Sequence, residues 1–94
     1  ETLNVVKITK LALDIFTEKY IYFSSKKEEV ITQFDRTQLI RVITNLIKNS
    51  IQAIHELQPK NPKIEVTVFE ENSFAVISVS DNGIGVSEEN KTKI

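Results

Sequence analysis

Residues 45–54 read NLIKNSIQAI, a stretch that places two asparagines in an otherwise largely aliphatic segment. Asn45 and Asn49 are four residues apart, so in a helix they lie on one face. Because asparagine is only a middling helix former, the pair needs an explanation. One explanation is a solvated polar face. The other is a ligand site, since an amide oxygen can complete a magnesium shell without adding charge.

The two asparagines fall within a long predicted helix over residues 36–57. Asp35 suits the N-cap position, and Gln38 stands three residues later, as in a capping box. Pro59 and Pro62 are expected to end the helix and to form the link that follows it. Apolar residues mark one face of this helix, namely Leu39, Ile43, Leu46, Ile47, Ile54 and Leu57.

A second motif, DNGIG at residues 81–85, follows a predicted β-hairpin of residues 63–70 and 74–80. Its two glycines permit backbone conformations closed to other residues and let a ligand approach closely. A carboxylate at the end of a strand can accept a hydrogen bond from an exocyclic amine, such as that of adenine. The alternative is an ordinary strand-to-helix turn, with Ser87 as the cap of a short terminal helix.

The remaining segments complete the predicted fold. Helical spacing predicts an amphipathic helix over residues 3–17, with apolar residues at Val5, Ile8, Ala12, Ile15 and Phe16. Residues 20–23 and 29–34 read as two strands. The order α-β-β-α-β-β favours an α+β fold, a two-layer sandwich with helices on one face of a mixed, mostly antiparallel sheet.

Length and composition limit which kinds of function the chain can have. The chain has 94 residues, which suffice for a single domain over residues 1–94. A net charge of -1 gives no reason to expect nucleic acid as a partner. The absence of cysteine excludes a disulfide scaffold, a thiolate zinc site and a cysteine nucleophile. Because the sequence contains no methionine, we expect that it is cut from a longer protein.

Together, the two motifs resemble those of an ATPase family shared by histidine kinases, gyrase-type topoisomerases, heat-shock-90 chaperones and mismatch-repair ATPases. In that family the helix motif is called the N box and the glycine loop the G1 box. Here the N box reads RVITNLIKNSIQAI and the G1 box reads DNGIG. The resemblance implies the Bergerat-type ATPase fold. It also implies that the family domain continues past position 94, with an ATP lid and a further glycine-rich box.

The resemblance implies roles for individual residues. Asn49 would bind the magnesium ion, Asp81 would hold the adenine amine, and Asn45 would support the phosphate side of the site. Four further residues would surround the base and ribose: Gly83 and Gly85 in the wall, Ala53 and Ile84 near the adenine. No catalytic residue is implied within this stretch.

Asn45 selects a branch of the family. In the topoisomerases, chaperones and repair ATPases this position is usually a glutamate that activates water, and an amide has no useful basicity. A site without that base suits phosphoryl transfer to another protein, which needs positioning and charge neutralisation. The asparagine pair is the histidine-kinase form and most resembles nitrogen-regulation-type kinases. Many kinases carry a Lys or Arg where Gln52 stands, which leaves Lys48 as one candidate phosphate cation.

The resemblance therefore implies the ATP-binding part of a bacterial sensor histidine kinase, a transferase of two-component signal transduction. ATP and Mg²⁺ would be its cofactors. Its partners would be the histidine-bearing dimerisation domain of a homodimeric parent and a response regulator. We expect a cytoplasmic protein, or the cytoplasmic part of a membrane-anchored sensor. The alternatives are a degenerate ATPase-fold module acting only in protein interaction, an ATP hydrolase of the same superfamily, and an unrelated α+β interaction domain.

His55 is the only histidine of the chain, and HELQP at residues 55–59 has the look of a phosphoacceptor box. In the family, however, the proline usually follows five residues after the histidine, whereas Pro59 follows after four. The acceptor also lies upstream, on the dimerisation domain. We therefore expect His55 to be an exposed residue near the end of the helix.

Overall fold

A computed structural model describes residues 1–82 and 88–94, the side chains of 88–90 excepted. In chain order the elements are β1 (Thr2–Asn4), α1 (Val5–Leu13), β2 (Ile21–Ser25), β3 (Ile31–Gln33), α2 (Arg36–Leu57), β4 (Ile64–Glu71), β5 (Phe74–Asp81) and β6 (Glu88–Lys93). The four-stranded sheet has the order β2-β4-β5-β6, in which β2 runs parallel to β4 and the other pairs are antiparallel. β1 and β3 form a separate antiparallel pair. The predicted α+β fold with a mixed, mostly antiparallel sheet is confirmed.

The core lies between the helices and one face of the four-stranded sheet. The sheet contributes alternate residues of the predicted hairpin, all buried, namely Ile64, Val66 and Val68 of β4 and Ala75, Ile77 and Val79 of β5. From α2 come Leu39, Ile43, Ile47 and Ile54, as the helical spacing predicted. Leu57, predicted on this face, is 50% exposed because it is the last residue of the helix. Within residues 1–82 and 88–94, no helix has the length and hydropathy of a bilayer-spanning segment.

Both ends of α2 are fixed by local chemistry. The Asp35 carboxylate accepts a hydrogen bond from the Gln38 amide at 3.0 Å, so the predicted N-cap is confirmed. At the other end Gln58 adopts a left-handed conformation with φ 42°, and its N–H donates to the Ile54 carbonyl at 2.8 Å. A proline disfavours the helical conformation in the residue before it, so Pro59 reinforces this ending.

The predicted first helix over residues 3–17 is too long at both ends. Asn4 Oδ1 accepts hydrogen bonds from the amides of Val6 and Val30, both at 3.2 Å, so it caps α1 and also ties β1 to the segment before β3. Because residues 2–4 pair with β3, the helix begins at Val5. Ile15, predicted on the apolar face, lies beyond the helix and is 64% exposed.

The predicted terminal helix is wrong over residues 88–93, and Ser87, its predicted cap, lies outside the described residues. Residues 88–93 form β6, antiparallel to β5, with Glu88 opposite Asp81. The edge of β5 otherwise presents a row of main-chain donors and acceptors, and pairing with β6 satisfies them. Non-local pairing of this kind overrides the local preference from which the helix was predicted.

Candidate nucleotide site

Asn45, Asn49 and Ala53 form one stripe along α2, which we call the helix wall. Successive members are four residues apart, and helical geometry therefore aligns them. Both asparagines are exposed, and Ala53 is half-buried. The core-facing side of α2 is occupied by aliphatic residues, so the two amides are left accessible to a ligand.

Ser50, next to Asn49, is turned into the core and is 2% exposed. Its Oγ finds no hydrogen-bond partner among the described residues. A buried hydroxyl without a partner is destabilising, because its lost hydration is not replaced, and Ser50 carries this cost directly beside the candidate metal ligand Asn49. Sequence reasoning missed it, although Ser50 stands at helical spacing from Ile43, Ile47 and Ile54 and so interrupts the apolar stripe.

Asp81 and Asn82 form what we call the strand wall, at the end of β5. Asp81 is 6% exposed, and it follows the same alternation as Ile77 and Val79, which face the helices. An aspartate is seldom buried to this extent unless it is paired. Gly83, Ile84 and Gly85, predicted to complete this side of the site, lie outside the described residues.

The chain path leads from the C-terminal end of α2 to the end of the sheet that carries the strand wall. Residues 58–63 join α2 directly to β4, and the first residue of β4, Ile64, is the register partner of Asp81. In addition, α2 packs against both β4 and β5. The end of β5 that carries Asp81 therefore lies at the end of the sheet that α2 approaches through this short link.

Asn82 makes contacts that sequence reasoning did not anticipate. Its Oδ1 accepts a hydrogen bond from the Lys63 amide at 2.9 Å, and its Nδ2 donates to the Asn61 carbonyl at 2.6 Å. The Asn82 main-chain N–H donates to the Lys63 carbonyl at 3.3 Å. Only one feature of the sequence indicated a structural role for Asn82, namely the preference of asparagine for positions where the chain turns. The side chain binds the link between α2 and β4 to the end of β5.

Two cavities near the end of β5 are lined by residues other than those of the helix wall. One of about 280 Å³ opens at the end of the sheet and is lined by Lys63, Glu65, Ser80, Asp81 and Asn82. Another of about 510 Å³ lies over β2, the start of β4 and the preceding link. Neither contains Asn45 or Asn49, so these cavities do not by themselves outline the predicted site.

Three further residues of α2 bear on the predicted site. Gln52 Nε2 donates to Glu56 Oε1 at 3.2 Å, one turn further along the helix. Lys48 is exposed and lies three residues after Asn45, so the two are neighbours on the helix surface. His55 is exposed and belongs to the last turn.

The chemistry of the described residues suits ATP and Mg²⁺. Within the described residues, no group of three or more His, Cys, Asp and Glu side chains could hold a metal ion. Mg²⁺ bound to a nucleotide needs little from the protein, because phosphate oxygens and waters fill most of its shell. The exposed Asn49 amide meets that need, and the buried Asp81 carboxylate suits a base amine. The residues therefore fit the group, and their assignment stays a prediction.

Comparison with known sequences identifies the family. The profile of the histidine kinase-, DNA gyrase B- and HSP90-like ATPases matches residues 34–94. Histidine kinase P4 of Formosa agariphila is 32% identical over 97% of this chain, and a probable C4-dicarboxylate sensor kinase of Halalkalibacterium halodurans is 35% identical over 90%. A putative NtrY-like sensor histidine kinase of Rickettsia conorii is 34% identical over 92%. The chain spans 7%, 15% and 14% of the lengths of these relatives.

Solved structures show the same fold. The nucleotide-free catalytic domain of the histidine kinase ThkA matches with a TM-score of 0.74 and 25% identity, over 88% of this chain and 59% of that one. The same kinase in complex with the response regulator protein TrrA matches with a TM-score of 0.71 and 24% identity, over 86% of this chain and 25% of that one. The resemblance drawn from the sequence is confirmed: the chain belongs to the histidine kinase-, DNA gyrase B- and HSP90-like ATPase family, and its relatives include sensor histidine kinases.

Proposed function

We propose that this chain is the ATP-binding part of a sensor histidine kinase, which holds ATP-Mg²⁺ so that its γ-phosphate passes to a histidine on a separate dimerisation domain. One observation supports this above all. Two exposed asparagines lie one turn apart on α2, and a buried carboxylate lies at the end of β5, a strand against which α2 packs. These are groups of the kinds that a triphosphate and an adenine require.

The Asp81 carboxylate is proposed to accept a hydrogen bond from the exocyclic amine of adenine. Because Asp81 is 6% exposed, such a bond is formed with little competition from water. Guanine carries a carbonyl oxygen in place of that amine, and an oxygen facing a carboxylate is repelled. Asp81 would therefore supply adenine selectivity as well as affinity.

The helix wall is proposed to hold the triphosphate. When bound, Mg²⁺ supplies charge neutralisation on the phosphate oxygens. Asn49 Oδ1 would bind the ion as a neutral ligand, and Asn45 would orient the phosphates one turn earlier on the same face. The Lys48 ammonium, a neighbour of Asn45 on the surface, is the candidate cation for the phosphates.

Asn45 is also the reason to propose transfer rather than hydrolysis. An amide at this position cannot remove a proton from water, so the helix wall offers no general base for attack by water on the γ-phosphate. The remaining requirements of phosphoryl transfer are alignment and charge neutralisation. The acceptor histidine then comes from the dimerisation domain, and we propose that His55, on the last turn of α2, is not that acceptor.

The further partner is proposed to be a response regulator. The kinase ThkA, whose catalytic domain shares this fold, has been solved in complex with the response regulator protein TrrA. A regulator would accept the phosphoryl group from the histidine of the dimerisation domain. Regulator binding and dimerisation would involve parts of the longer relatives that this chain does not cover.

The proposal is tested by titrating the longer parent protein with ATP, in Mg²⁺ and in a chelator, for the wild type and for Asn49→Ala. The wild type should bind more tightly with Mg²⁺, and Asn49→Ala should lose most of that difference. Asn72→Gly is the matched control. Asn72 is an exposed asparagine in the β4–β5 turn, at the opposite end of that hairpin from Asp81, and its φ of 50° suits glycine.

The alternatives give different results in the same experiment. Asn49→Ala with an unchanged Mg²⁺ dependence would show that the metal assignment is wrong. A wild type that binds no ATP would support a module that acts only in protein interaction. Rapid release of inorganic phosphate without an acceptor protein would support an ATP hydrolase instead of a kinase.

A further inference from the structure

The pairing of β4 with β5 ends in an unusual way next to Asp81. The antiparallel register runs from Glu71 opposite Phe74 to Ile64 opposite Asp81, so the next pair in register is Lys63 and Asn82. In a continuing ladder, residues of a hydrogen-bonded pair exchange two main-chain bonds. Here the Asn82 N–H donates to the Lys63 carbonyl at 3.3 Å, but the Lys63 N–H donates to the Asn82 side chain, at 2.9 Å.

The side-chain carbonyl of Asn82 thus takes the place of a main-chain carbonyl. The Lys63 N–H keeps a partner, as main-chain donors generally must, while the main-chain carbonyl of Asn82 is released from pairing with it. The other end of the same amide donates to the Asn61 carbonyl at 2.6 Å. Position 82 therefore uses one acceptor and one donor on a short side chain, a combination that asparagine provides.

The link that Asn82 binds directly follows α2, the helix that carries the helix wall. Residues 58–63 follow α2 directly, and Pro59 and Pro62 restrict their backbone. The hydrogen bonds of Asn82 fasten the last part of this link to the residue that follows Asp81. One side chain therefore connects the segment after α2 with the strand end that carries the buried carboxylate.

We propose that Asn82 is a positioning residue of the nucleotide site, which sets the placement of the Asp81 carboxylate and the point at which the chain leaves β5. The proposal rests on the function proposed above, since Asn82 acts on the nucleotide through Asp81. It touches neither phosphate nor metal. Its loss should weaken binding of the base in the ground state and the transition state alike. That change raises KM and leaves kcat at saturating ATP almost unchanged.

The test uses the longer parent protein with three substitutions, assayed with Mg-ATP and Mg-GTP. Asn82→Ala should raise KM for ATP roughly 10-fold, lower the preference for ATP over GTP, and change kcat by less than about 2-fold. Asn82→Asp keeps the acceptor for the Lys63 N–H but places a carboxylate against the Asn61 carbonyl. Its KM for ATP should therefore lie between that of the wild type and that of Asn82→Ala. Asn61→Ala is the matched control, because Asn61 contributes its main-chain carbonyl and the hydrogen bond survives.

Urea unfolding of each variant separates positioning from folding. If Asn82→Ala lowers stability but keeps the wild-type KM and ATP preference, Asn82 only fastens the fold and the inference is wrong. An Asn61→Ala protein that behaves like Asn82→Ala would also contradict it. If Asn82→Ala does not fold, the KM of Asn82→Asp decides. Asp81→Ala and Asn49→Ala serve as reference variants. If neither reference variant changes ATP binding, the proposed function itself fails. If Asp81→Ala and Asn49→Ala both weaken ATP binding but Asn82→Ala does not, only the inference about Asn82 is wrong.

Discussion

On the helix wall, Asn45 and Asn49 extend from α2 into solvent, whereas on the strand wall Asp81 is buried and Asn82 is hydrogen-bonded to the neighbouring link. The asparagines of the helix wall owe their positions to the helix itself, which the aliphatic residues on its other face anchor. The positions of Asp81 and Asn82 on the strand wall depend on the residue at which β5 stops pairing with β4. Substitutions on the helix wall should therefore change chemistry and spare the fold. Substitutions on the strand wall should change affinity through position.

The largest effect is expected from Asp81→Ala. A hydrogen bond to a charged group contributes about 1.5–3 kcal/mol, so ATP binding should weaken roughly 10- to 100-fold. GTP binding should strengthen, because the carboxylate that repels the guanine oxygen is gone, and the preference for adenine should therefore be lost. Competition titrations with ATP and GTP measure both quantities. Asp81→Asn is the control for shape, because it keeps an acceptor at the same place. If the Asp81→Ala protein still prefers ATP over GTP, the assignment of the adenine contact to the strand wall is wrong.

A smaller effect, on stability alone, is expected from Asp35→Ala at the start of α2. The Asp35 carboxylate accepts from the Gln38 amide at 3.0 Å, and loss of an N-cap costs about 1 kcal/mol. Chemical denaturation should show this loss, while Asp35→Asn, which retains a capping oxygen, should be nearly as stable as the wild type. Because Asp35 lies at the opposite end of α2 from the link to β4, the ATP affinity of the folded protein should not change. A weakened ATP affinity would show that the helix wall is not rigid.

The two walls also differ in how far the sequence predicted them. Strong helical periodicity and the Asp35 cap predicted α2, and clean alternation predicted the β4–β5 hairpin with its buried face. Asn49 and Asp81 were recognised because their motifs stand out from these regular patterns. Whether they bind Mg²⁺ and adenine stays a prediction.

What the sequence did not predict depends on contacts between distant residues. The double role of Asn4 requires Val30, which is 26 positions away. β6 forms because the edge of β5 is available for pairing, a fact that no local pattern contains. Asn82 reaches Asn61 across 21 positions, and only the register of β4 with β5 brings them together. Local propensity cannot report such pairings, since tertiary context decides them.

A smaller effect still, and one of opposite sign, is expected from Ser50→Ala in the interior beside the helix wall. The Ser50 Oγ has no hydrogen-bond partner among the described residues, so its removal should stabilise the nucleotide-free protein by up to about 1 kcal/mol. Thr9→Val is the matched control, because Thr9 Oγ1 on α1 is also buried and has no partner in the described part of the chain. Differential scanning calorimetry of both variants measures the change. If Ser50→Ala alone is destabilising, the hydroxyl has a partner that the described residues do not supply.

The smallest effect is expected from Glu65→Gln, near the strand wall. Lys63 Nζ lies 2.8 Å from Glu65 Oε1, and both side chains are more than half exposed. The hydrogen bond from Lys63 to Glu65, and then the charge of Glu65, raise the pKa of Lys63 above its ordinary value of 10.5. A raised pKa in the folded state means that the stabilisation is complete below pH 10.5 and is lost as the pH rises through the folded pKa. Surface ion pairs contribute little and are screened by salt.

Glu65→Gln should therefore lower Tm slightly at neutral pH and low salt, and the difference should vanish in about 1 M salt. Glu70→Gln is the matched control, since Glu70 pairs with Lys27 at the same distance of 2.8 Å near the opposite end of β4. ATP affinity should be unchanged in both variants, because Asn82 holds Lys63 by its main-chain N–H and carbonyl and not by its ammonium. If Glu65→Gln alone weakens ATP binding, the ion pair takes part in positioning the link. The strand wall would then depend on side-chain charge as well as on main-chain hydrogen bonds.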